Sequence, residues 1–216
     1  MNPQLSLLTP RRPWGIQVYA SRTGTRRALD LFRAWGWRLL VSARGVLRTE
    51  GFPYALDNGA WTAHARAEAF DNGAFLRALD ALGTGAEWVV IPDVVGDAAA
   101  TLLAAETWAP RLAGHRRMLV LQDGVAAPAV LDLHERHQLH GVFVGGSSRW
   151  KDANIARWST WARAHGLVCH VGRVNTLSRL RACVEARVDS VDGSGVSRFV
   201  DHAIVFRRWC VDLGVS

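Results

Sequence analysis

The stretch RVDSVDGSG, residues 187–195, sets Asp189 and Asp192 three positions apart where a short apolar run gives way to glycine. In an extended strand, an odd separation sends two side chains to opposite faces. One carboxylate of the pair can therefore project into a site while the other cannot. Other residues capable of chemistry stand in comparable places: Asp57 in YALDNGAW, Asp93 in VVIPDVVGD and Gln122 in LVLQDG, each after an apolar run. VGGSSRW runs on from Val144, and HVGRVNT brings Gly172 and Arg173. Facing carboxylates suit glycosidic-bond chemistry, in which one attacks the anomeric carbon and another handles the proton. A further carboxylate, an amide and glycine backbone that allows close approach could then read the edge of a heterocyclic base.

Each of these residues has a plainer role when taken singly. Aspartate after a strand commonly caps a helix or closes a turn, and Asp97 is read that way. The argument for a site is convergence, which requires the strands carrying these residues to be neighbours. Eight strand-like runs are present: IQVYA (16–20), RLLVSA (38–43), PYAL (53–56), WVVIP (88–92), MLVLQ (118–122), GVFVG (141–145), LVCHV (167–171) and VDSV (188–191). Several are apolar at successive positions, as strands covered on both faces are. Segments of helical period lie between them, at 24–36, 74–83, 97–114, 126–137, 154–166 and 176–186. Alternating strands and helices in that number predict a compact (β/α)8 TIM barrel, an α/β fold spanning residues 1–216 as one domain. In that fold the C-terminal strand ends form one mouth, and six of the eight would bring these polar or glycine residues to it.

Other chemistries lack support. No G-x-G-x-x-G follows the first strand, no G-x-S-x-G is present, and no His-x-His or paired cysteine spacing marks a metal site. Cys169, Cys183 and Cys210 are widely spaced and read as buried thiols, Cys169 beside His170 included. Lys and Arg outnumber Asp and Glu by 26 to 19, with a single lysine, Lys151, and ten tryptophans. A basic, aromatic-rich surface suits a polyanion. No apolar run approaches the ~18 residues that span a bilayer, and the N-terminus has no signal-peptide pattern, so the cytoplasm is the expected location. RRPWG at 11–15 is a candidate basic arm.

The order of these motifs resembles that of the tRNA-guanine transglycosylase superfamily, TIM-barrel enzymes that exchange guanine for a 7-deazaguanine. DNGAW at Asp57 is similar to the family's D-S-G-G, and VVIPD at Asp93 to its next strand-end aspartate. VLQDG is similar to V-Q-G-G, VGGSSRWK to G-G-L-x-V-G-E, CHVGRVNT to L-M-G-V-G-x-P, and VDSVDGS to D-x-F-D-C-V, which holds the nucleophile. The resemblance covers about Ala55 to Gly195. It implies Asp192 as nucleophile and Asp57 as general acid/base. Asp189, pointing the other way in the strand, is read as a structural partner for a nearby arginine. The base edge would be held by Asp93, Gln122, Gly145, Gly146, Ser147 and Gly172. Arg149, Trp150, Lys151 and Arg173 would meet the nucleic acid.

The family's C-x-C-x-x-C zinc site and C-terminal extension have no counterpart, and its glutamate and leucine align with Lys151 and Ser147. That compact form is most similar to the phage and bacterial branch that modifies DNA against restriction. The implied partners are DNA and a preformed 7-cyano- or 7-aminomethyl-7-deazaguanine, with no cofactor or metal and with a homodimer or a partner protein left open. A tRNA substrate, an inert nucleic-acid-binding barrel and a glycoside hydrolase are the alternatives.

Overall fold

The computed structural model describes residues 15–21, 25–193, 195–196 and 199–215. Its strands are β1 (Gln17–Ser21), β2 (Arg38–Ser42), β3 (Tyr54–Asp57), β4 (Val89–Val90), β5 (Arg117–Leu121), β6 (Gly141–Val144), β7 (Val168–Val171) and β8 (Ser190–Gly193). They pair in chain order, all parallel, and β8 returns to β1 to close the barrel. The chain is thus a (β/α)8 TIM barrel, as the alternating pattern predicts. The helices are α1 (Arg26–Ala34), α2 (Ala60–Ala65), α3 (Asn72–Leu82), α4 (Ala98–Trp108), α5 (Ala127–His137), α6 (Ser148–Ala164), α7 (Leu177–Glu185) and α8 (Val200–Asp212).

All eight predicted strands are present, with shifted ends. The largest difference is WVVIP, of which only Val89 and Val90 are strand, although Ile91 N–H still donates to Met118 O at 3.0 Å. Two helices were not predicted. The short α2 follows Gly59, whose positive φ of 83° starts it without a side-chain cap. The helix α8 buries Ala203, Phe206 and Cys210 among charged neighbours. The helix α6 starts at Ser148 rather than Asn154, because the Ser147 hydroxyl accepts from Trp150 N–H and nucleates the turn earlier. Asp97 caps α4 through Ala100 N–H at 2.9 Å, as read from the sequence. The basic segment Arg11–Trp14 lies outside the described residues.

Strand alternation divides the core in two. Leu39, Val41, Leu56, Val89, Leu119, Leu121, Val142, Cys169 and Val191 face the helices and pack with Phe32, Phe75 and Trp158. Tyr19, Leu40, Ala55, Trp88, Val90, Met118 and Val120 fill the barrel interior, with Phe143 against them. The lower interior is a polar-tipped aromatic layer. Trp88 Nε1 donates to Tyr19 Oη at 3.0 Å, and Tyr19 donates to Glu87, which pairs with Arg38 at 2.6 Å. His170 completes the layer, 4.5 Å from the Phe143 ring and 5.0 Å from Trp88. Among the described residues no helix is long and apolar enough to cross a membrane.

Candidate active site

Two residues further along several strands the inward side chains become polar. Ser21, Ser42, Asp57, Gln122 and Asp192, each two positions beyond Tyr19, Leu40, Ala55, Val120 and Ser190, face the mouth. With Asn58, Trp61, Asp93, Gly145, Gly146 and Arg173 they line a cavity of about 250 Å³ in the mouth. That volume is near the lower end of small-molecule sites, about 300–1,000 Å³, and matches one compact ring system better than an extended chain.

Asp192 is 6% exposed and held at both oxygens. Arg173 N–H donates to Oδ1 and His170 Nε2 contacts Oδ2, both at 3.2 Å. Burial pushes the His170 pKa down, so the ring is neutral. Its Nε2–H then donates to Asp192, while Nδ1 accepts the Ser190 hydroxyl at 2.8 Å. Gly172 permits this fit. A Cβ there would meet the Phe143 ring and come within 3.2 Å of Asp192 Oδ2. Asp189, by contrast, is exposed and accepts from Cys169 N–H at 2.8 Å, on the other face of the strand. Its contact is therefore a backbone amide, where an arginine partner was expected.

Asp57 faces the same cavity in a different setting. Its Oδ2 accepts Gly59 N–H at 3.1 Å. Burial, then the neighbouring Asp93 and Asp192 charges, raise its pKa to about 7 against the pull of the Gly59 and Ser42 hydrogen bonds. A carboxyl raised above its unfolded value of 3.8 binds its proton more tightly in the folded state, so stability is fullest below about pH 4 and declines as pH rises towards 7. Asp57→Asn removes that decline while keeping an acceptor for Gly59. The expected result is a melting temperature raised by about 2–4 °C at pH 8, for a gain of about 1 kcal/mol, and little changed at pH 4. Calorimetry at the two pH values checks it, and an equal shift at both would remove the electrostatic explanation.

Asp93 is supported by two amides. Asn58 Nδ2 donates to Oδ1 at 2.8 Å and Gln122 Nε2 to Oδ2 at 2.7 Å, while Gln122 Oε1 accepts Gly96 N–H at 3.1 Å. Burial nevertheless raises its pKa. Asn58 also donates to Ile91 O and accepts from Ala60 N–H, joining β3 to the end of β4. In the sequence, the only sign of Asn58 is an amide directly after a strand-end aspartate, and His170 stands out only as the neighbour of Cys169. The alternation that parts Asp189 from Asp192 also parts these two, sending Cys169 to the helices and His170 to the interior.

Of the residues expected to hold a base, Asp93, Gln122, Gly145 and Gly146 line the cavity, whereas Ser147 and Gly172 do not. Ser147 is exposed, with its N–H and hydroxyl both on the Asp123 carboxylate at 2.6 Å. Gly146 has φ of 63°, and a Cβ would strike Asp123 and the Trp150 ring, so the turn requires glycine.

The residues expected to meet nucleic acid also divide. Arg149 is exposed on the first turn of α6. Arg173 lines the cavity, stacks 4.0 Å over the Trp61 ring and donates to Gly146 O at 2.6 Å. Trp150 is half-buried against the helix-side core. Lys151 is corrected outright: it is 1% exposed and donates to Gly172 O, so its ammonium cannot reach a phosphate. Burial, with Arg173 nearby, lowers its pKa to about 8.

Fold and site together define a TIM barrel whose mouth gathers three carboxylates around a compact cavity. Compared with models of known protein families and with curated proteins, the sequence matches none.

Proposed function

We propose that this protein is a DNA-guanine transglycosylase, replacing guanine in DNA with a preformed 7-deazaguanine of the 7-cyano or 7-aminomethyl type. The observation that carries the reading is the shared cavity of Asp57 and Asp192 and their contrasting environments. Asp192 is met by N–H donors on both oxygens, which fix the orientation of its carboxylate. Asp57, with a pKa of about 7, can hold or release a proton near neutrality.

An Asp192 oxygen attacks C1′ of the target deoxyguanosine. The C1′–N bond breaks with its electron pair going to guanine, and protonated Asp57 supplies the proton that the departing base takes up. The incoming base then gives its ring N–H proton to the Asp57 carboxylate, and its nitrogen displaces Asp192 from C1′. Asp93, oriented by Asn58 and Gln122, accepts N–H donors from the base edge. The Arg173–Trp61 stack lies against the rim where an extruded nucleotide leaves its strand.

The test is incubation with guanine-containing DNA, and separately with tRNA, each with 7-cyano-7-deazaguanine or its aminomethyl form. Digested nucleosides are then read by mass spectrometry. A modified deoxynucleoside is expected. A modified ribonucleoside alone would transfer the reading to tRNA, and neither product with either base would overturn it in favour of an inert nucleic-acid-binding barrel.

A further inference from the structure

Lys151 is the one lysine of the chain, and it is buried. An ammonium so far from water is expensive unless it is well partnered. A methionine or leucine would fill the same space without that penalty, so packing alone does not account for it. Nor does its amine line the cavity, which excludes an imine-forming or ligand-binding role there. Its Nζ donates instead to the carbonyl of Gly172. The N–H at the other end of that same peptide unit, on Arg173, donates to Asp192 Oδ1.

The peptide is held on both sides. Gly172 N–H donates to Val144 O at 3.2 Å, and Arg173 adopts a left-handed φ of 56°. A non-glycine residue in that region is uncommon and persists where its surroundings demand it. When a peptide oxygen accepts from a cation, the N–H of the same unit becomes a stronger donor, because successive hydrogen bonds polarise one another.

We propose that Lys151 is a positioning residue for Asp192, acting through the Gly172–Arg173 peptide, which carries the pull of the buried ammonium to the carboxylate. The contact itself is independent of any substrate; its consequence for rate rests on Asp192 being the nucleophile. Lys151 thus turns a backbone amide into a directed donor that fixes one oxygen of Asp192, leaving His170 to fix the other.

The experiment compares the full-length protein with Lys151→Met, using Lys151→Gln as well so that poor folding of one variant does not decide the matter. The first readout is the Arg173 backbone amide resonance in a 15N–1H correlation spectrum, which needs no activity. It is expected to move upfield in a folded variant, and an unmoved resonance would overturn the proposal. The second is single-turnover formation of the covalent adduct. Its rate is expected to fall about 10- to 100-fold, the range seen when groups supporting metal ligands are removed, with binding of DNA to the free protein unchanged. Loss confined to DNA binding, or none beyond that explained by a lowered melting temperature, would mark Lys151 as structural only. If the wild-type protein exchanges no base while the amide still moves, the transglycosylase reading fails and the positioning contact stands.

Discussion

If the protein exchanges bases as proposed, Asp192→Asn is expected to abolish the covalent link between protein and sugar and to lower exchange by ~10⁴-fold or more, as when the nucleophile of a concerted site is removed. The substitution changes almost no volume, and the asparagine can keep both contacts: its oxygen accepts Arg173 N–H, and its NH2 donates to His170 Nε2 once the ring carries its proton on Nδ1 and donates to the Ser190 hydroxyl. A folded variant should therefore still bind nucleic acid. Denaturing electrophoresis of protein incubated with DNA, followed by mass spectrometry of the shifted band, tests the adduct. A variant that still forms it would move the nucleophile elsewhere, and unchanged exchange would end the enzyme reading.

On the same reading, Asp57→Asn is expected to slow adduct formation by about 10²–10⁴-fold, the usual contribution of a positioned proton donor. The pH dependence identifies the role. Adduct formation uses the protonated carboxyl, so the wild-type rate is expected to be level below about pH 7, the pKa set by burial and by Asp93 and Asp192. Above that value it falls tenfold per pH unit. The variant loses this fall, because its amide does not titrate. Rapid-quench measurement from pH 5.5 to 9 checks both features. A wild-type rate that rises through this range would make Asp57 a base in the first half-reaction, reversing its assignment.

The barrel and the level of its mouth were legible because apolar runs and polar strand ends are local patterns. Asp57, Gln122 and Asp192 end or follow such runs, and the two-residue alternation is enough to separate Asp192 from Asp189. Partners across strands were not legible. Nothing beside Asn58 in the chain indicates that its amide meets Asp93, and nothing around His170 indicates Asp192. Both contacts depend on the register of strands far apart in sequence. Lys151 misled for a related reason. A charge in a basic, aromatic stretch reads as surface, and only the earlier start of α6 turns it inward towards Gly172.

The aromatic layer of Tyr19, Trp88, Phe143 and His170 beneath the cavity has a kinetic consequence. Among the described residues, a chamber floored in this way opens at the mouth. If the protein exchanges bases as proposed, departing guanine and arriving 7-deazaguanine would use that same opening, and the first would vacate before the second is admitted. Exchange would then follow a ping-pong sequence, with the sugar tethered to Asp192 beside a vacant chamber. Free guanine would compete for that same interval and return the strand to its starting state.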